Sequence, residues 1–193
     1  MLTENEIKRR ARSATRKIVR SLATVNPNPA AVHKLIGANP DVTKPFVDEC
    51  FSGIPENDKE QQFAVLNELY NTLTAKHKEL QKNTNRNIVE INSITRVMYA
   101  LEARYEALIG PEKTQEIMDT AREWDNFLVS DERNPKWPTI TKGDFDAHQN
   151  RGLAAQNRRL AEGPTNTRRP EVATGVTANQ PNGQSRAKGI GRR

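Results

Sequence analysis

The stretch whose reading decides the fold is residues 56–111, ENDKEQQFAVLNELYNTLTAKHKELQKNTNRNIVEINSITRVMYALEARYEALIGP. It holds neither Gly nor Pro until Gly110-Pro111 closes it. With Phe63 placed at position a of a seven-residue repeat, the a positions are Phe63, Tyr70, His77, Thr84, Ile91, Met98 and Tyr105. The d positions are Leu66, Leu73, Leu80, Asn87, Ile94, Leu101 and Leu108. Eleven of these are apolar or Tyr, over more than three repeats, and such a run predicts a coiled-coil helix. Asn57, followed by Glu60 three residues on, predicts the helix start.

The exceptions His77, Thr84 and Asn87 cluster at the centre, which leaves two forms open. One is a single rod of about 80 Å, at 1.5 Å per residue. The other is an antiparallel hairpin turning at residues 82–87. Both halves keep one register, and a hairpin loop has no reason to preserve phase, so the register favours the rod. The asparagines at 83, 85 and 87 are poor helix formers and good turn formers, and favour the hairpin. In a rod, Thr84 and Asn87 would set register and oligomer state at some cost in stability. Leu69, Ile88, Val97 and Ile109 fall at e and g and widen the stripe towards a bundle of three or more helices. The eleven apolar positions, Phe63, Leu66, Tyr70, Leu73, Leu80, Ile91, Ile94, Met98, Leu101, Tyr105 and Leu108, are the expected self-association seam.

Outward from this stretch, residues 3–22 read as a helix. Thr3 and Glu6 form a capping box, and Ile7, Ala11, Ala14, Ile18 and Leu22 form a thin apolar stripe. Residues 30–36 read as a short helix opened by Pro29 and closed by Gly37. A second runs from Thr43 to Ser52, with Phe46, Val47, Cys50 and Phe51 on its apolar face. The pair has the outline of a helix-turn-helix, but Lys44 is outnumbered by Asp48 and Glu49, which is wrong for a DNA-reading helix and right for packing.

Beyond Pro111, residues 112–129 predict an amphipathic acidic helix. Ile117, Met118, Ala121, Trp124, Phe127 and Leu128 share one face, and Glu112, Glu116, Asp119, Glu123 and Asp125 the other. Trp137, between Pro135 and Pro138, has no periodic neighbours and reads as an anchor for a pocket on a partner or on the bundle. Residues 144–161 predict a weak helix with Phe145, His148, Leu153 and Leu160 on its apolar side. Residues 163–193, with five Gly, three Pro and no aromatic, predict a disordered basic tail. The chain thus divides into 1–55, 56–110, 111–162 and 163–193. The fold class is all-α.

Composition limits what such a chain can be. Of its 193 residues 35% are hydrophobic and 5% aromatic, too few for the thick core of a large α/β enzyme domain. A single Cys excludes an intramolecular disulfide framework, and the three His lack metal-ligand spacing. No apolar run reaches membrane-spanning length, and no apolar core follows the basic N-terminus as in a secretory signal. Phosphate-loop, dinucleotide-binding and zinc-protease motifs are absent. No enzymatic activity, cofactor or small-molecule substrate is expected, and a cytoplasmic or virion-associated location is.

The net charge of +6 is unevenly spread. Residues 1–22 carry seven Lys/Arg against two acids, and residues 150–193 carry nine against two. Everything between is neutral or acidic. Basic ends point to a polyanion, and the expected nucleic-acid contacts are Arg9, Arg12, Arg16 and Arg20 with Arg168, Arg169, Arg186, Lys188, Arg192 and Arg193. No aromatic accompanies the tail, so the expected contact is with a DNA or RNA backbone, not with bases.

The expectation is a self-associating assembly protein, such as a virion or genome-packaging component, working within a larger protein assembly. An adaptor whose basic ends bind acidic protein surfaces is the alternative. A further alternative is a DNA-recognition subunit similar in plan to the small terminase subunits of tailed phages, with N-terminal helices, a central helical oligomerisation region and a flexible tail, and the acidic helix at 43–52 speaks against it.

Overall fold

The computed structural model describes residues 1–23, 44–127 and 135–162. Among these it contains six α-helices and no strand: α1 (Glu4–Ala23), α2 (Lys44–Phe51), α3 (Lys59–Leu80), α4 (Thr84–Ala100), α5 (Glu102–Phe127) and α6 (Lys142–Glu162). The expected short helix at 30–36, Leu128 and the tail from 163 lie outside the described residues.

The central stretch is a hairpin, and the continuous rod is corrected. α3 starts one residue later than expected, where the Asp58 carboxylate accepts the Gln61 N–H at 3.0 Å. It ends in one 3₁₀ turn, Gln81–Asn83. Asn83 then leaves helical geometry at φ −146°, ψ 72°. Thr84 Oγ1 donates to the Gln81 carbonyl at 3.1 Å. Short polar side chains thus take up carbonyls that a continuing helix would have used.

The decisive contact is between Tyr70 and Tyr105, whose rings meet edge to face with centroids 5.9 Å apart. On one continuous helix these residues would stand about 52 Å apart, at 1.5 Å per residue. Tyr105 also donates its hydroxyl to Met98 Sδ at 3.3 Å, so one ring ties α3 to α4. The heptad pattern recorded faces turned to a common core, and each half of the hairpin has one.

One further bend shapes the chain. Through Leu101, at φ −92°, ψ −5°, the helical bonds continue, with the Leu101 N–H on the Val97 carbonyl at 3.1 Å and the Tyr105 N–H on the Leu101 carbonyl at 3.0 Å. At Gly110 the backbone adopts φ 84°, ψ 169°, and Pro111 opens the next arm of α5. That arm returns along α4, where Tyr99 donates to Asp125 at 3.1 Å and Arg96 lies 3.6 Å from the same carboxylate. The result is an up-down-up bundle of α3, α4 and α5, with α1 laid over α3 and α4 and α6 against α5.

Ile117, Met118, Ala121 and Trp124 are buried as the amphipathic pattern requires, and Glu112, Glu116, Asp119 and Glu123 face solvent. Leu66, Leu69, Leu73, Ile91 and Ile94 are fully enclosed, each stabilising the fold by about 1.5–3 kcal/mol.

An extended strap, residues 135–141, crosses this bundle. Tyr70 donates its hydroxyl to the Pro138 carbonyl at 2.6 Å, and Ile140 is buried. Trp137 lies edge-on to His77 at 5.4 Å, with Trp124 on His77 at 4.5 Å. Trp137 is therefore an anchor within its own chain, and not one held out to a partner. A second capping box, Thr141 with Asp144, then starts α6: the Thr141 N–H donates to Asp144 at 2.7 Å and the Asp144 N–H to Thr141 Oγ1 at 3.3 Å. Phe145 stacks on Phe63 at 4.7 Å, and Lys142 reaches Glu60 at 2.7 Å. From Asn150 to Arg159 every side chain of α6 is exposed, including Leu153 at 58%.

Candidate polyanion-binding face

All eleven residues of the expected self-association seam are buried inside the single chain. Their apolar surface is already used, so the seam is an intramolecular core. The tail residues Arg168, Arg169, Arg186, Lys188, Arg192 and Arg193 lie outside the described residues. What remains of the expected contacts is α1.

The helix begins with the capping box read from the sequence. The Thr3 N–H donates to Glu6 at 2.9 Å, and the Glu6 N–H donates to Thr3 Oγ1 at 3.3 Å. These bonds hold the Glu6 carboxyl below its ordinary range. Ala11, Ala14, Thr15 and Ile18 are the buried face. The small alanines let α1 lie close to the bundle, which explains why a stripe without aromatics suffices.

Three of the seven cations of α1 are bonded to other described residues in ways that hold the fold. Lys8 pairs with Glu4 along the helix. Arg10 Nη1 donates to the Ser52 carbonyl at 2.6 Å and the Cys50 carbonyl at 3.3 Å, closing the C-terminal end of α2. Lys17 bonds both oxygens of Glu49, at 2.7 and 2.5 Å. These three serve the fold. Arg9, Arg12, Arg16 and Arg20 recur at three- and four-residue spacing, and all four are exposed.

The acids of α2 are occupied as well. Asp48 meets Lys44 at 3.0 Å and Arg104 at 3.1 Å, and these cations hold its carboxyl below the ordinary range. The Arg104 guanidinium also lies 4.2 Å from the centre of the Phe51 ring. Val47, Cys50 and Phe51 are buried, and burial pushes the Cys50 thiol up to about 11, far from a reactive thiolate. Held in this way α2 acts as a packing helix.

Between α1 and α3 runs an open groove of about 510 Å³, lined by Arg12, Thr15, Arg16 and Arg20 on one side and Lys76 and Glu79 on the other. Sequence analysis missed Thr15 and Lys76. Nothing in the primary structure joins them, since they meet only when α1 lies on α3. No group of three or more His, Cys, Asp or Glu side chains is placed to hold a metal among the described residues. No helix among them is long and apolar enough to cross a membrane. No protein-family model, curated protein or solved structure matches this chain.

Proposed function

We propose that this chain is a non-enzymatic helical protein that holds a DNA or RNA backbone through the arginine face of α1. The observation that carries this reading is the division of the α1 cations. Lys8, Arg10 and Lys17 are bonded within the chain. Arg9, Arg12 and Arg16 form no hydrogen bond or ion pair among the described residues, and they share one stripe with Arg20. Guanidinium groups in a row match phosphates in a row, which position a protein without specifying sequence. The basic tail adds charge of the same sign. Assembly or packaging of a nucleic acid is the class of work such a surface suits.

The test is binding of random-sequence duplex DNA and of RNA, measured by fluorescence anisotropy at 50 and 200 mM salt. Affinity should fall steeply with salt and differ little between sequences. Changing Arg9, Arg12, Arg16 and Arg20 together to Ala should weaken binding for every sequence alike and flatten the salt slope, by roughly 0.9 for each phosphate no longer neutralised. If the parent protein binds neither nucleic acid at 50 mM salt, the basic face serves an acidic protein surface instead.

A further inference from the structure

We propose that the groove between α1 and α3 is a phosphate-binding slot, in which Arg12 and Arg16 supply charge beside the Lys76–Glu79 pair and Thr15, which lines the groove, supplies a hydroxyl. The proposal rests on the nucleic-acid reading only for the source of the phosphate.

Two independent observations meet here. The first is charge. Arg12, Arg16, Arg20 and Lys76 line the groove against one acid, Glu79, which is already bonded to Lys76 at 2.7 Å. The second is Thr15. It is only 5% exposed, and its Oγ1 is buried with no hydrogen-bond partner. Other helical threonines of this chain behave differently. Thr72, Thr74, Thr95, Thr114 and Thr120 each donate to the carbonyl four residues back, which is the usual refuge of a helical hydroxyl. The Thr15 hydroxyl does not take that bond, and Thr15 lines a cationic groove. A buried polar atom left without a partner in an otherwise satisfied helix calls for a bonding group from outside. Guanidinium forks beside a hydroxyl form a donor set for tetrahedral phosphate oxygens.

Arg158 provides the control. It is exposed and carries the same charge, but it stands on α6, outside the groove and outside the arginine face of α1. A slot distinguishes Arg16 from Arg158, whereas a diffuse positive field does not.

The experiment titrates the full chain with inorganic phosphate at low salt, following backbone and guanidinium NMR shifts. Saturable shifts centred on Thr15, Arg16 and Lys76 are expected. Arg16→Gln should weaken phosphate binding about tenfold, as loss of a charge-assisted hydrogen bond does. Thr15→Val should weaken it several-fold while leaving the melting temperature unchanged or raised, because Val keeps the shape and removes an unpaired hydroxyl. Arg158→Gln should stay within twofold of the parent. Non-saturating shifts spread over the surface, with Arg158→Gln and Arg16→Gln alike, would overturn the slot. So would tighter saturation by polyglutamate than by phosphate. Duplex DNA then separates the two readings. If DNA binds but the slot variants bind it as Arg9→Gln does, the slot is wrong and the functional reading stands. If phosphate saturates the slot and DNA fails to displace it, the slot stands and the functional reading falls.

Discussion

Asn87 donates its side-chain amide to the main-chain carbonyl of Leu80, seven residues back, at 2.9 Å. On an unbroken helix the next turns would intervene between these two groups. Here α4 turns back beside α3, and the amide takes up a carbonyl at the end of α3. Asn87 itself sits off helical geometry, at φ −109°, ψ 16°. The residue that a heptad reading makes a buried register device is a cap for the turn.

That assignment predicts the sign of a substitution. Asn87→Leu, which would strengthen a coiled-coil seam, should instead destabilise the protein by about 1–2 kcal/mol, through an unsatisfied carbonyl and a weakened turn. Urea denaturation gives the value. A gain in stability accompanied by a larger hydrodynamic radius would restore the rod.

Burial of the seam residues predicts that a charge there unfolds the chain and does not simply separate subunits. Leu73 is fully enclosed within one chain. Leu73→Asp should abolish most helicity, since an unpaired buried carboxylate is costly. Circular dichroism and light scattering on the same sample check this. A helical protein of lower mass would show that Leu73 lies between subunits.

At Gly110 two constraints coincide. Its φ of 84° with ψ of 169° is a region kept by glycine, and a Cβ added there would lie 2.8 Å from His148 Nδ1. Gly110→Ala should cost about 2–3 kcal/mol. Adding His148→Ala should recover the steric part alone and leave about 1–2 kcal/mol of backbone strain. A double-mutant cycle by thermal denaturation separates the two, and a neutral Gly110→Ala would contradict this junction.

His77 predicts a pH dependence. Its ring lies against Trp124 and Trp137, and Nδ1 is 2.8 Å from the Gln81 side-chain nitrogen, so none of these contacts carries charge. Burial pushes its pKa down from 6.5 to about 4. Between those values the unfolded chain holds the extra proton. Stability is therefore full above pH 6.5 and falls as the pH drops towards 4. From pH 7 to pH 5 the His77 contribution to the loss should be about 2 kcal/mol. Urea denaturation of the parent and of His77→Leu at both pH values tests this. The variant should lose correspondingly less between pH 7 and pH 5, and an equal loss in both proteins would remove His77 as the cause.

Local chemistry was legible wherever the residues that decide it are neighbours in sequence. Thr3 and Glu6 close a capping box, Gly110-Pro111 ends one helical arm and starts the next, and the acidic and apolar faces of residues 112–124 sort as their spacing requires. The same signal stood at Thr141 and Asp144 and placed the start of α6, which a reading by apolar spacing alone set two residues late. Periodicity could say that Leu73 and Ile94 face a core. It could not say whose core, because a helical face is hydrophobic in the same way against a second chain or against its own continuation. Only the tertiary structure decided that, by bringing Tyr70 to Tyr105 and the Asn87 amide to the Leu80 carbonyl. It decided the candidate site for the same reason. In sequence only Lys8, four residues after Glu4, stands apart among the cations of α1, and the others become unequal only when α2 brings Glu49 to Lys17 and α3 brings Lys76 beside Arg16 and Thr15.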